Sequence, residues 1–258
     1  MHNCLLPYDL EIPPDMSRIK GILYCITHFI FLIRWESKST NEDSQWWRVI
    51  FSGEYILENL KKKVRYEIRK GLKNYSYHEV SKEEIKKLGY EVYKSSYIRY
   101  ETHEKMMPKN FFIDQVESMP KDIEFRALYN IESGAMEAFV ENIVQDKECF
   151  MSTMWLDPLA MQKNAGYAFF HEILNEYINI RDFKHVSDGS RNISHETGIH
   201  EFLRNKFNFY NSPMKINIIY NPLIYPLVKI CFLVKNIFPK NSKISSLLRL
   251  EFYARKKS

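Results

Sequence analysis

The sequence predicts an α/β (α+β) chain: a mixed, mostly antiparallel central sheet flanked by helices, with an N-terminal strand extension and a basic amphipathic C-terminal tail. Three observations predict it. Strand-like runs at 123–129, 135–144 and 149–156 follow one another across the turn-forming segments Glu132-Ser133-Gly134 and Gln145-Asp146-Lys147, the pattern of an antiparallel meander. Apolar residues recur at three- and four-residue spacing both before and after that meander, so helices flank it. The 258 residues are 45% hydrophobic and 27% charged, which supports a sizeable core and excludes a disordered or collagen-like chain.

Taken in order, residues 21–35, rich in Ile, Phe, Tyr and Thr, read as a strand, and 46–51 as a second strand that forms a hairpin with it after a polar loop. A helix over about 54–72 places Leu57, Leu60, Val64, Ile68 and Leu72 on one face, with Gly71 near its end. Lys62, Arg65, Arg69 and Lys73 form a second, cationic stripe at the same spacing, which is also what a solvated helix face looks like. Ser81 and Glu84 make a capping box for a helix to about 98, and Pro108 opens a short helix carrying Phe111, Phe112 and Val116. After the meander come a long helix over about 164–180, a short strand near 184–186, a helix over about 196–206 and a closing strand at 214–220. This divides the chain into an N-terminal extension (1–45), a central domain (46–222) and the tail (223–258).

Four scattered cysteines, Cys4, Cys25, Cys149 and Cys231, contain no CxxC pair, so they read as buried small hydrophobes in a reducing compartment rather than a zinc cluster or disulfide framework. Acidic Asp9, Glu11 and Asp15 precede the first apolar run, which argues against a secretory signal, and that run is too short to span a bilayer. The expected location is cytoplasmic, with peripheral contact to the inner membrane face. Eight glycines are too few for a fold built on glycine-rich dinucleotide loops. Of the net charge of +5, the stretch 221–258 carries eight basic residues against the single acid Glu251, leaving the first 220 residues slightly acidic. Nucleic-acid-binding domains are basic across their folded body, so this balance disfavours one. A tail alternating Leu223, Ile224, Leu227, Val228 and Ile230 with lysines suits either an anionic membrane surface or packing on the body or a twin subunit.

The segment Lys163-Asn164-Ala165-Gly166-Tyr167-Ala168, between the third meander strand and the long helix, resembles the Arg/Gln-x-x-Gly-x-Gly/Ala loop of the GNAT superfamily of acyltransferases. Phe202-Leu203-Arg204-Asn205-Lys206-Phe207-Asn208-Phe209 is similar to the helix-to-strand exit of GNAT chains, with Asn208 in place of the usual glycine. Lys63-Val64-Arg65-Tyr66-Glu67-Ile68-Arg69-Lys70-Gly71-Leu72 resembles an Arg-x-x-Ile-Arg-Lys-Ala segment of the Fem-type branch. The resemblance implies a GNAT-like fold over roughly 46–222 and an acyl-CoA co-substrate, most simply acetyl-CoA, whose pyrophosphate is received at Lys163, Asn164, Ala165, Gly166, Tyr167 and Ala168. Free amides at a helix start and a small residue suit that role. No metal is implied.

The densest polar cluster runs from Ser187 to Thr197, after the short strand, where an open sheet presents a ligand crevice. Acyl transfer needs a base, and His195 is the best by intrinsic pKa, with Asp188 or Glu196 to orient it. Glu141 is an alternative base, sharing one strand face with Glu137. Ser190 and Arg191, with Arg65 and Arg69 of the cationic stripe, are candidates for holding an anionic acceptor. Asp188-Gly189 is equally good turn chemistry, and His28, His171 and His200 read as surface or packed histidines.

The function expected is that of a GNAT-type N- or O-acetyltransferase acting on a small-molecule or lipid-linked cell-envelope sugar or polysaccharide precursor. The alternatives are an aminoacyl-tRNA-dependent Fem-type transferase, the one reading that brings in a nucleic acid, and a non-catalytic membrane-surface protein of GNAT fold. A homodimer is compatible with each.

Overall fold

The structure, a computed structural model, describes residues 4–5, 17–99, 105–191, 198–239 and 242–255. In chain order it contains β1 (Cys4–Leu5), α1 (Arg18–Thr27), β2 (Leu32–Lys38), β3 (Trp46–Ser52), α2 (Lys62–Asn74) and β4 (Tyr75–Val80). A short α3 (Lys82–Glu84) continues through a π-helical turn into α4 (Tyr90–Tyr97), followed by α5 (Lys109–Ser118). The meander is β5 (Ile123–Asn130), β6 (Met136–Gln145) and β7 (Glu148–Leu156). Then come α6 (Pro158–Gln162), α7 (Ala165–Leu174), β8 (His185–Ser190), α8 (Ile199–Phe207), β9 (Tyr210–Tyr220), α9 (Tyr225–Leu233) and α10 (Lys243–Arg255). The mixed, mostly antiparallel sheet with flanking helices is as the sequence predicts.

Two compact units divide the chain: one made of Met1–Arg48, Ser190–Thr197 and Asn211–Ser258, the other of Val49–Gly189 and Gly198–Tyr210. In the second unit β4, β5, β6 and β7 pair antiparallel in that order, and β7 pairs parallel with β8. One sheet face, with Phe125, Ala127, Met136 and Phe139, is buried under Ile85, Tyr93, Phe112 and Val116 of the α3 to α5 segment. Tyr93 seals it against Trp155 edge to face at 4.7 Å. The opposite face carries Arg126, 3% exposed, whose guanidinium is held by Glu176 at 2.6 Å and Glu124 at 3.0 Å, while Arg181 holds Glu124 at 2.5 Å. Buried charge costs several kcal/mol per ion unless it is paired and hydrogen-bonded, and this network supplies both.

In the first unit β1 runs parallel to β2, and β2 runs antiparallel to β9 from Leu32↔Tyr220 to Lys38↔Met214. β2 therefore pairs with β9 and not with β3, so the expected hairpin is absent. The expected strand over 21–35 is also corrected: its first part belongs to α1, and β2 begins at Leu32. Ser17 caps α1 by accepting from the Lys20 amide, and Phe29, at φ 52°, ends the helical run. Cys25, Ile33 and Ile219 form the small core beneath it. Cys25 and Cys149 are fully buried free thiols, as the sequence predicts, whereas Cys231 is only partly buried.

α2 starts at Lys62 rather than near 54 and continues to Asn74, with Gly71 in its last turn. β4, which has no counterpart in the sequence reading, follows at once. Ser81 does cap the next helix, accepting from the Glu84 amide at 3.2 Å.

Candidate functional site

The parallel pairing of β7 with β8 lasts three residues, Glu148↔His185, Cys149↔Val186 and Phe150↔Ser187. The register of β7 on β6 shifts just beyond, where Glu141 faces Thr153 and Asn142 faces Met151, leaving Ser152 as the extra residue of a bulge. A bulge bends its strand, and this one coincides with the point where β7 leaves β8. Ser152 Oγ donates to the Glu141 carbonyl at 3.2 Å. The second unit thus has a sheet that opens on one side of β7 from Met151 onward.

The freed strand leads into the phosphate-loop candidate. Asp157 caps α6, accepting from Leu159 at 2.8 Å, and Pro158 opens it, so a short helix precedes the turn. Lys163 ends α6, Asn164 adopts the left-handed conformation at φ 65°, and Ala165, Gly166, Tyr167 and Ala168 form the first turn of α7. The Asn164 carbonyl accepts from Tyr167 and Ala168, while the amides of Ala165 and Gly166 are ones that a helix start leaves without intrahelical partners. A Cβ built on Gly166 meets only Leu156, at 3.6 Å, so the protein itself does not fill the space beside this amide. At Gly166 the groups fit a diphosphate: a main-chain N–H at the positive end of a helix dipole, an exposed Lys163, and room for close approach, whereas Ala165 is fully buried. Beside it lies a cavity of about 440 Å³ lined by residues that include Glu91, Glu137, Asp157, Gln162 and Lys163.

Glu141 is 7% exposed, and burial pushes its carboxyl up to about 7 against a weaker opposing hydrogen bond from Thr153. Glu137 does not share its face. The β5–β6 register shift leaves Glu137 unpaired between Met136 and Ala138, and its carboxylate is held by Tyr75 at 2.7 Å and Asn130 at 3.1 Å instead. That overturns the alternation read from the sequence, because a bulge breaks the period of two.

The polar cluster after β8 disperses. Asp188 and Gly189 lie inside β8 rather than in a turn, and Asp188 Oδ2 meets His200 Nε2 of α8 at 3.1 Å. Burial raises the Asp188 pKa while His200 opposes that shift. Strand register puts Asp188 on the Val186 face, opposite the one that carries Phe139 and Glu141. Ser190 and Arg191 belong to the first unit: Ser190 donates to Glu36 at 2.5 Å, and the Arg191 guanidinium stacks on Tyr253 at 4.7 Å and reaches the Gln45 carbonyl at 3.4 Å. His195 and Glu196 lie outside the described residues. On α2, Lys62, Arg69 and Lys73 are exposed, and Arg65 is half-buried with an Nε that has no hydrogen-bond partner among the described residues. His171 is a packed histidine whose Nδ1 meets the Tyr55 hydroxyl at 2.8 Å, and burial lowers its pKa. Sequence reasoning missed the Asp188–His200 pair; a histidine in the first turn after a polar loop was its one signal. Among the described residues no group of three or more His, Cys, Asp or Glu is arranged to hold a metal ion.

A meander whose last strand parts from a parallel neighbour, followed by a short helix and a helix start, makes up a fold shared with solved structures. The chain is similar to FemX at 9% identity, over 82% of this chain and 79% of that one, with a TM-score of 0.56. It is also similar to L-PGS from Bacillus licheniformis at 13% identity, over 85% of this chain and 77% of that one, with a TM-score of 0.53. No family model and no curated protein matches the sequence.

Proposed function

We propose that the chain is an acyltransferase that moves an acyl group, acetyl in the simplest case, from acyl-CoA to an amine or hydroxyl of a cell-envelope sugar or polysaccharide precursor. The observation that carries this reading is the departure of β7 from β8 after Phe150, upstream of α6 and the start of α7. The main-chain amide of Gly166 and the Lys163 ammonium hold the donor's diphosphate. The edge of β7 beyond Phe150, half-buried from Ser152 onward, offers main-chain groups to the arm that carries the thioester. The acceptor's nitrogen or oxygen attacks the thioester carbonyl carbon, the C–S bond breaks, and the acceptor's proton passes to Glu141. A base poised near the working pH is suited to that transfer. His195 and Glu196 are the candidates for a second proton-handling group, because Asp188 is paired to His200 on the sheet face opposite Glu141.

The test is direct. Acetyl-CoA is expected to raise the Tm of the purified protein, since a ligand that binds only the native state stabilises it by mass action. Thiol release is then expected to depend on an amino-sugar or sugar acceptor. No Tm shift with acetyl-CoA or any longer acyl-CoA overturns the reading.

A second reading, aminoacyl transfer from charged tRNA, is favoured by one observation: the exposed cations of α2, with the unpartnered Arg65 Nε, lie on the helix that packs against α7 through Gly71. It predicts tRNA binding that falls steeply with salt and is lost in Arg65→Ala/Arg69→Ala.

A further inference from the structure

We infer that the first unit docks on an anionic lipid bilayer through α1 and α9. In a water-soluble helix the apolar stripe faces the core. In α9 the reverse holds: Val228 is its buried contact, whereas Leu223, Leu227, Ile230, Val234 and Ile237, at successive helical spacings through and beyond the helix, all face outward. Leu223 and Leu233 are more than four-fifths exposed. α1 repeats the arrangement, burying Gly21 and Cys25 while exposing Ile19, Leu23 and Ile26.

The chain segments that carry the two stripes are tied together within the unit. Asn221, between β9 and α9, donates its side-chain amide to the carbonyls of Cys25 and Ile30, and its backbone amide donates to Phe31. Exposed apolar surface on this scale marks an interaction site. Charge selects the partner: no Asp or Glu occurs from Ser17 to Trp35 or from Asn221 to Leu250, while Arg18, Lys20, Lys229 and Lys235 punctuate the apolar residues. Lys229 and Lys235 cover the rings of Tyr225 and Phe232 at 4.6 Å and 5.0 Å, which keeps their ammonium groups beside apolar surface, as at a headgroup boundary. Apolar side chains at the acyl boundary, with cations among anionic headgroups, are the chemistry of an interfacial helix. No helix among the described residues is long and apolar enough to cross a membrane, so the mode is surface docking.

The experiment is co-sedimentation of the full chain with vesicles of phosphatidylglycerol and phosphatidylcholine, beside vesicles of phosphatidylcholine alone. Binding is expected to the anionic vesicles and to weaken with salt. Lys229→Gln/Lys235→Gln is expected to weaken it roughly 30-fold, the equivalent of about 1 kcal/mol for each lysine. Leu227→Gln/Ile230→Gln, both exposed positions, is expected to abolish it with Tm unchanged. Absence of binding to anionic vesicles overturns the inference, as does equal binding to both vesicle types. A concentration-dependent dimer that ignores vesicles and is broken by Leu227→Gln/Ile230→Gln also overturns it, by assigning the surface to a second copy. The outcome is separable from acyl transfer, because acetyl-CoA binding is read in the absence of lipid.

Discussion

Gly71 of α2 and Asn164 of the turn before α7 approach so closely that a Cβ on Gly71 would stand 2.5 Å from the Asn164 carbonyl oxygen and 3.0 Å from the Ala168 Cβ. That carbonyl accepts the amides of Tyr167 and Ala168, so α2 holds the helix start where the diphosphate is proposed to bind. Gly71→Ala would gain up to about 1 kcal/mol of helix propensity but force backbone apart. Overpacking costs about 1–3 kcal/mol. A lower Tm and a weakened acetyl-CoA response are expected together, and a stabilised variant with intact binding would show that this contact tolerates a methyl group.

Glu141 gives a pH prediction with a definite sign. An unfolded chain ionises this glutamate near its ordinary 4.5, whereas burial holds it protonated to about 7 in the native state. Its contribution to stability is therefore fully present below 4.5 and is lost as the pH rises through about 7, an effect of about 3 kcal/mol across that window. Glu141→Gln is expected to flatten the stability profile between those pH values, measured by denaturant unfolding. If Glu141 is the base, kcat/KM climbs to a plateau above about pH 7 in the parent, and the variant loses most of the rate.

Asp188 and His200 are coupled across the residues between β8 and α8. Removing one member of a buried pair strands the other, so Asp188→Asn and His200→Gln each destabilise, and the double variant costs less than the sum of the two. A double-mutant cycle measured by denaturant unfolding is expected to return a coupling of at least about 1 kcal/mol. Additive effects would mean the two side chains do not depend on each other.

The meander was legible because β5, β6 and β7 are apolar, β-branched and aromatic runs punctuated by turn residues, and α5 and α8 because Phe112, Val116, Leu203 and Phe207 repeat at helical spacing on the face they bury. α1 was not, because Ile19, Leu23 and Ile26 repeat at helical spacing on a solvent face while its β-branched and aromatic composition favours a strand. β4 escaped because Tyr75-Ser76-Tyr77-His78-Glu79-Val80 is polar enough to pass for a linker, and its apolar rings are committed to distant partners: Tyr77 donates to Glu176 at 2.5 Å. The Glu137 bulge and the Asp188–His200 pair depend on register and on contacts far apart in sequence, which local periodicity does not encode. Within the site, the helix start at Ala165 was readable from the glycine and its neighbours, whereas the Glu141 environment required knowing what buries it.

Gly166 separates a ligand-binding helix start from an ordinary one. Because its surroundings leave a Cβ at 3.6 Å from Leu156, Gly166→Ala introduces only van der Waals contact and gains helix propensity, so the fold is expected to hold or to gain slightly. Gly166→Glu also suits the first turn of a helix, where a carboxylate interacts favourably with the dipole. Neither variant should therefore lower the Tm of the unliganded protein by more than about 0.5 kcal/mol equivalent. The carboxylate would nevertheless stand beside the amide proposed to receive a diphosphate and repel it. Calorimetric titration with acetyl-CoA is expected to show binding in the parent, reduced binding in Gly166→Ala where the methyl group crowds the ligand, and none in Gly166→Glu. Equal affinities in all three proteins would place the donor elsewhere, even with acetyl-CoA established as the ligand.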